Sequence, residues 1–258
     1  MPTIADTYEV QPGDSLSKIA NKFGVSLNDL LQANQQIFDP NLIKVGQKIN
    51  IPGTAPAPPP TPAPDQPAAY DGIHPAPGTF SMDRLNYSDP PLTNSPGQRN
   101  PAIYSQLINQ FAVGNNPRHL PDHGNTYCNI FAWDVSRAMG AEIPHWIDSS
   151  GKIAVPRAPG AHEININGGI VWMRGHGVTQ FGFHSCTPQQ AQDAANQGKL
   201  AVVMWKNDAG HGHVAVVRPG TATDKGPATA QAGRHNFNDG HVINGFGQNG
   251  PLEYFWHD

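Results

Sequence analysis

The chain has 258 residues, room for one large domain or a small and a medium one. Its 16 basic and 20 acidic residues leave a net charge of -4, which argues against a polyanion-binding surface and so against nucleic acid as a partner. Charged residues are only 14% of the chain while Gly (27) and Pro (26) abound, so loops, a linker and short strands are expected rather than a helical bundle.

The N-terminus, Met1-Pro2-Thr3-Ile4-Ala5-Asp6, lacks the basic and apolar stretches of a signal peptide, and no apolar run is long enough to span a bilayer. Cys128 and Cys186 make no disulfide framework, and free thiols suit synthesis in the cytoplasm. Delivery to any other compartment is then expected to need lysis or a specialised secretion system.

Residues 5–52 form a compact β-α-α-β pattern. Thr7 to Val10 read as a strand and Gln11-Pro12-Gly13-Asp14 as a turn. Asp14 or Ser15 caps a helix carrying Leu16, Ile19, Ala20 and Phe23 on one face, which Gly24 stops. Ser26 caps a second helix, and Lys48 to Pro52 close the unit as a strand. Residues 53–72 open on a Pro/Ala tract that favours extended polyproline II, a semi-rigid spacer. Residues 73–258 are long enough for an independent domain.

The words Tyr8-x-Val10-x-x-Gly13-Asp14-Ser15-Leu16-x-x-Ile19-Ala20 and Leu42-x-x-Val45-Gly46-Gln47-x-Ile49-x-Ile51-Pro52 closely resemble a LysM domain. That resemblance implies binding to N-acetylglucosamine glycans, chiefly peptidoglycan or chitin. It places the sugar groove between the loop of Gly13, Asp14, Ser15 and Leu16 and the loop of Pro40, Asn41, Leu42 and Ile43.

In the third zone Asn100-Pro101 starts a helix with Ile103, Leu107, Ile108 and Phe111 on one face. A second helix runs from Cys128 to Met139, with Gly140 closing it. Asp134 and Trp133 on this helix read as packing and capping partners. Residues 141–186 show little periodicity. Thr187-Pro188-Gln189-Gln190 is a helix start with a Thr cap and Gln at the third position. Strand-like runs follow at Leu200–Trp205, Val214–Arg218 and Ala228–Ala232, with a fourth expected at His241–Phe246. Helices followed by an antiparallel sheet make an α+β domain.

Two segments carry the chemistry. Cys128 stands where a loop becomes a helix, and the positive helix start favours the thiolate, the reactive form. Far downstream, Gly212-His213-Val214 puts a histidine at the head of an apolar strand. Helix-borne cysteine plus strand-borne histidine is the minimum for a thiol hydrolase. With the loop Pro219–Gly226 centred near Ala222, Gln231 falls opposite His213 as the orienting third residue, and Asn236 is the second choice. A slip of one residue keeps Gln231 in reach; a slip of two is expected to remove it. Backbone N–H groups at the helix start, with Tyr127 or Asn125 as added donors, are the candidates for stabilising an oxyanion.

The segment Tyr127-Cys128-Asn129-Ile130-Phe131-Ala132-Trp133-Asp134-Val135, with Gly212-His213-Val214 and Gln231, resembles the papain-like cell-wall amidases of the NlpC and CHAP group. Gln as third residue departs from the commoner His, Asp, Asn or Glu. The resemblance implies a papain-like fold and hydrolysis of an amide in peptidoglycan, in the peptide stem or at the muramoyl–alanine bond, with no cofactor. A secretion apparatus and an immunity protein are the further partners to expect. Cys186 reads as a packed or loop thiol.

Two other classes stand beside this one. His211-x-His213, with His123, His184, His235 and His241, offers zinc ligands, but the upstream His-x-x-x-Asp of zinc wall peptidases is missing and His145-Trp146-Ile147-Asp148 is one residue short. A wall-binding or assembly protein with a degenerate hydrolase domain is the non-enzymatic alternative.

Overall fold

The computed structural model describes residues 4–25, 27–34, 37, 43–53 and 81–258. Ser26, Pro40, Asn41 and Leu42, and the spacer beyond Gly53, lie outside the described residues.

The N-terminal module runs β1 (Ile4–Glu9), α1 (Leu16–Phe23), α2 (Leu27–Gln32) and β2 (Lys48–Pro52), with β1 and β2 antiparallel. Ser15 caps α1, its Oγ accepting from Lys18 N at 3.3 Å, and Gly24 ends it in the left-handed region at φ 65°. Leu16, Ile19, Leu30, Leu31, Ile49 and Ile51 form its core. Asn34 bridges the end of α2 to β2: its Nδ2 donates to Leu30 O and Asn50 O, and its Oδ1 accepts from Asn50 N, all at 2.7 Å. Those bonds satisfy backbone groups that a core of under 50 residues has few other means to pair.

The C-terminal part begins with α3 (Pro101–Gln110) and α4 (Cys128–Ala138), then the short pair β3 (Trp146–Ile147) and β4 (His162–Glu163). Next come α5 (Ile166–Trp172), a π-helical turn (Met173–Gly177), α6 (Val178–Gln180), β5 (Phe183–Cys186) and α7 (Pro188–Asn196). The remainder is β6 (Leu200–Trp205), β7 (His213–Val217), β8 (Ala228–Gln231), β9 (Phe237–His241), α8 (Val242–Phe246) and β10 (Glu253–His257). Six strands form one antiparallel sheet in the order β5-β10-β6-β7-β8-β9. The α3 and α4 helices, α7 and the sheet share one core, with β6 and β7 almost wholly buried. Ile103 of α3 instead joins the core cluster of the N-terminal module.

The strand expected at His241–Phe246 is a correction: strand pairing stops at His241 and the chain turns into α8. There Asn244 Oδ1 accepts from His241 N at 2.8 Å, a local side-chain bond that favours a helix start over a ladder. The sheet also gains β5 and β10 at its other side, neither expected from the sequence. β10 sits between β5 and β6, so an aromatic strand at the very end of the chain becomes an inner strand.

Asp134 does more than cap and pack. Arg118 grips it with two bonds, Nε to Oδ2 at 2.6 Å and Nη2 to Oδ1 at 2.8 Å, and His119 Nε2 lies 2.8 Å from Oδ2. All three side chains are fully buried. Burial acts to raise the Asp134 pKa, but the Arg118 charge and the bonds from both partners outweigh it and hold the carboxyl below the usual range. Arg118 also donates to Ser81 O at 3.1 Å and Asn86 O at 2.9 Å, so one guanidinium pins the segment leading into the domain onto α4. Removing one partner of such a buried pair strands the other charge. We expect Asp134→Ala to lower stability by about 3–5 kcal/mol, read as a fall in melting temperature; a melting temperature equal to wild type contradicts that role.

Candidate active site

Cys128 is the first residue of α4, following Tyr127, whose side chain makes no capping bond. The first N–H groups of the helix are therefore left for other acceptors. α4 packs against β7 and β8, which brings its start to the end of the sheet where His213 opens β7, paired with Trp205 of β6. The Cys128 thiol and the His213 ring interact, each shifting the other's pKa against the effect of burial. Cys128 retains 4% of its surface, and its neighbours Tyr127, Asn129 and His213 are half-buried, so the pair lies at the rim of the core.

His213 Nε2 is 2.6 Å from Gln231 Oε1. An amide oxygen only accepts, so Nε2 carries a proton and Nδ1 is left to face the thiol. The orientation of the Gln231 amide is fixed independently, because its Nε2 donates to His235 O at 3.0 Å.

The register differs from expectation in an informative way. β7 pairs Val216 with Ala230 and Val217 with Thr229, so the hairpin is centred on residue 223 rather than 222. Continued, that register sets Gly233 opposite His213 and puts Gln231 two residues off. The slip of two was expected to break the contact, and it does not. Side chains alternate faces with a period of two, so Gln231 stays on the face of His213, and its length spans the diagonal. A shorter Asn or Asp at 231 has less reach.

Small residues make room for this pair. A Cβ on Gly245 of α8 would lie 2.0 Å from Gln231 Oε1, and one on Gly233 would lie 3.1 Å from Gln231 Nε2. The Phe246 ring, 1% exposed, covers His213 with ring centroids 4.8 Å apart. The loop into β7 is clamped from α5: Asn167 Nδ2 donates to Asn207 O and Gly210 O at 2.9 Å each, and its Oδ1 accepts from Asn207 N at 3.1 Å. A Cβ on Gly212 would meet Trp205 O at 2.4 Å and Asn167 Oδ1 at 2.5 Å, so only glycine allows this approach. Asn167, Gly245 and Phe246 were not singled out in the sequence, whereas Gly212 was, through its place in Gly212-His213-Val214.

Burial acts to raise the Cys128 pKa. The bond and charge of His213, with backbone N–H groups of Val214 and Asn129, outweigh it, and the thiol is held below its usual value. Burial acts to lower the His213 pKa, but the Cys128 bond and charge and then the Gln231 bond outweigh that, and His213 is raised. Thiolate and imidazolium thus favour one another, and the pair persists above the Cys128 pKa and below that of His213. Cys186, at the end of β5, has its thiol pushed up to about 11 by burial, as suits an inert packed residue.

The other candidates are placed as follows. Asn236 is committed elsewhere: its Nδ2 donates to Val113 O at 2.7 Å and His119 O at 2.9 Å, and its Oδ1 accepts from Gly233 N at 2.8 Å. It braces the β8–β9 turn and leaves nothing for His213 or an oxyanion. Asn125 is exposed, its backbone closed in a tight turn with Asp122. Tyr127 carries the Arg84 guanidinium over its ring at 3.7 Å. Among the described residues no three His, Cys, Asp or Glu side chains converge as metal ligands.

In the N-terminal module, Gly13 takes φ 85° and its carbonyl accepts from Lys18 Nζ at 2.9 Å. The Asp14 carboxylate is taken up by Gln11 N and Tyr8 OH, both at 2.8 Å, so it braces the turn. Leu16 is 3% exposed and points into the core, which corrects its place in a sugar groove; Ile43 packs partly against that core. Pro40, Asn41 and Leu42 fall outside the described residues.

Residues 8–52 match the LysM domain family, so the N-terminal module is a LysM domain. The chain is also similar to proteins of known name. Over 51 residues it is 45% identical to an endolysin of Bacillus phage PZA, covering 20% of each chain. Over 53 residues it is 49% identical to the N-acetylmuramoyl-L-alanine amidase XlyB of Bacillus subtilis, covering 20% of this chain and 16% of that one. Over 101 residues it is 32% identical to the spore coat assembly protein ExsA of Bacillus cereus, covering 35% of this chain and 16% of that one. The chain thus spans about a fifth or less of the length of these relatives.

The Gln231 bond raises the His213 pKa, so Gln231→Ala lowers it. The ion pair, present below that pKa, is then lost at lower pH. We expect the alkaline limb of the rate profile for iodoacetamide alkylation of Cys128 to move down in pH in Gln231→Ala; an unmoved limb contradicts the assignment.

Proposed function

We propose that this chain is a cell-wall hydrolase in which the LysM domain holds peptidoglycan and residues 73–258 cleave an amide, in the peptide stem or at the muramoyl–alanine bond, by a papain-like thiol mechanism. The observation that carries this is the buried thiol that interacts with a histidine whose Nε2 is 2.6 Å from Gln231 Oε1. The LysM region of the chain, not its thiol site, is what is similar to a phage endolysin and an N-acetylmuramoyl-L-alanine amidase, which supports the wall as target.

In this mechanism the Cys128 thiolate attacks the amide carbon, forming an S–C bond while the carbonyl π electrons move to oxygen. Backbone N–H groups at the start of α4, including that of Cys128, donate to that oxyanion. The imidazolium of His213 gives its Nδ1 proton to the leaving amine as the C–N bond breaks. His213 then takes a proton from water, whose hydroxide attacks the thioester and regenerates the thiolate. Gln231 holds the ring with Nε2–H outward, the orienting part of a triad. The spacer of residues 53–72 keeps the hydrolase near glycan already bound, which raises its effective concentration at the wall. Export by lysis or a specialised secretion system, with an immunity protein in the producer, belongs to the same proposal.

Muropeptides released from sacculi and resolved by mass spectrometry test all of this together. Wild type is expected to give new amide-cleavage products and Cys128→Ala none. Equal products from both, or a loss on chelation with no effect of iodoacetamide, overturns the thiol mechanism.

A further inference from the structure

Asn129 follows the nucleophile, in the first turn of α4, and is half-buried at the rim of the site. Its Nδ2 lies 3.3 Å from His145 Nδ1. His145 is 1% exposed, directly before β3, and burial holds its pKa at about 4, so the ring is neutral near neutral pH. Its Nε2 lies 3.0 Å from Glu163 Oε1 of β4, and the ring also interacts with the backbone at Ile164.

The order of donors follows. A neutral imidazole has one N–H, and the carboxylate of Glu163 draws it to Nε2. Nδ1 is then an acceptor, and only the NH₂ end of the Asn129 amide can face it. The carboxamide is thereby locked with Oδ1 turned away from His145, and among the described residues nothing in the protein donates to that oxygen.

We propose that Asn129 is a substrate-contacting residue, its Oδ1 accepting an amide N–H of the bound peptide beside the scissile bond, with His145 as the positioning residue that fixes the amide's orientation. This rests on the thiol-hydrolase reading of the site. The ligand class is a peptide or acylated amine that presents an N–H next to the attacked carbonyl. A buried, neutral ring whose Nδ1 bonds a half-buried amide suits a device for pre-orienting that amide before substrate arrives.

The test measures KM and kcat on purified muropeptides, with the rate of iodoacetamide alkylation of Cys128 in parallel, for wild type, Cys128→Ala, Asn129→Ala and His145→Phe. Loss of one hydrogen bond to substrate is expected to raise KM about fivefold to tenfold in Asn129→Ala. His145→Phe keeps a ring in the core but frees the amide, and a smaller rise of about threefold is expected. Alkylation is expected to stay within about twofold of wild type in both, because neither variant removes the His213 bond to the thiol. Thiol-dependent cleavage with an unchanged KM in Asn129→Ala overturns the substrate contact alone. A parallel fall in cleavage and alkylation assigns Asn129 to holding the helix start and overturns it too. No cleavage by wild type, or cleavage unaffected by Cys128→Ala, overturns the hydrolase reading and this inference with it.

Discussion

One interaction, between the thiol of Cys128 and the ring of His213, is what the chemistry proposed for this molecule depends on. A buried thiol on its own is a poor nucleophile, because burial disfavours the thiolate. A buried imidazole on its own is a poor base, because burial disfavours the imidazolium. Placed together the two penalties are met by a single interaction, since each charged form stabilises the other. The shifts of both groups follow that logic, downward for the thiol and upward for the ring, against burial in each case.

Holding two side chains 85 positions apart in register takes much of the C-terminal sheet. β6 and β7 form the rigid floor, Asn167 and Gly212 set the loop that feeds His213, and α8 closes over His213 and Gln231 through Gly245 and Phe246. On the cysteine side, the Arg118–Asp134–His119 cluster ties α4 to the segment before it. Asn236 then links His119 O to Gly233 N, two residues from Gln231. The two halves of the site therefore rest on a continuous set of buried and half-buried polar bonds, each of which leaves an unpaired group if broken.

Much of this was legible in the sequence, for physical reasons that can be named. The helix starts were readable because capping chemistry is local: Thr187 and Gln190 form the reciprocal capping bonds their spacing implies, and Asn100 caps α3. Cys128 and His213 stood out because their residue types sit at a helix start and a strand head. The hairpin register was off by two, and the contact with Gln231 survived only because sheet faces alternate and glutamine is long. Other features left no local mark. β10 is an inner strand by virtue of neighbours far away in the chain, α8 replaced a strand through one side-chain bond from Asn244, and Asp134 finds Arg118 by tertiary packing alone. Asn236 was attractive by position but is consumed by three backbone bonds that only coordinates reveal.

The central claim is a thiolate stabilised by an imidazolium, and titration of thiolate absorbance with pH measures it most directly. Cys186, pushed up to about 11, titrates apart from Cys128 and serves as an internal reference. The wild-type protein is expected to show a thiolate step below the ordinary cysteine value, absent in Cys128→Ala and moved upward in His213→Ala. A Cys128 step at the ordinary thiol value, indifferent to His213→Ala, would contradict the account.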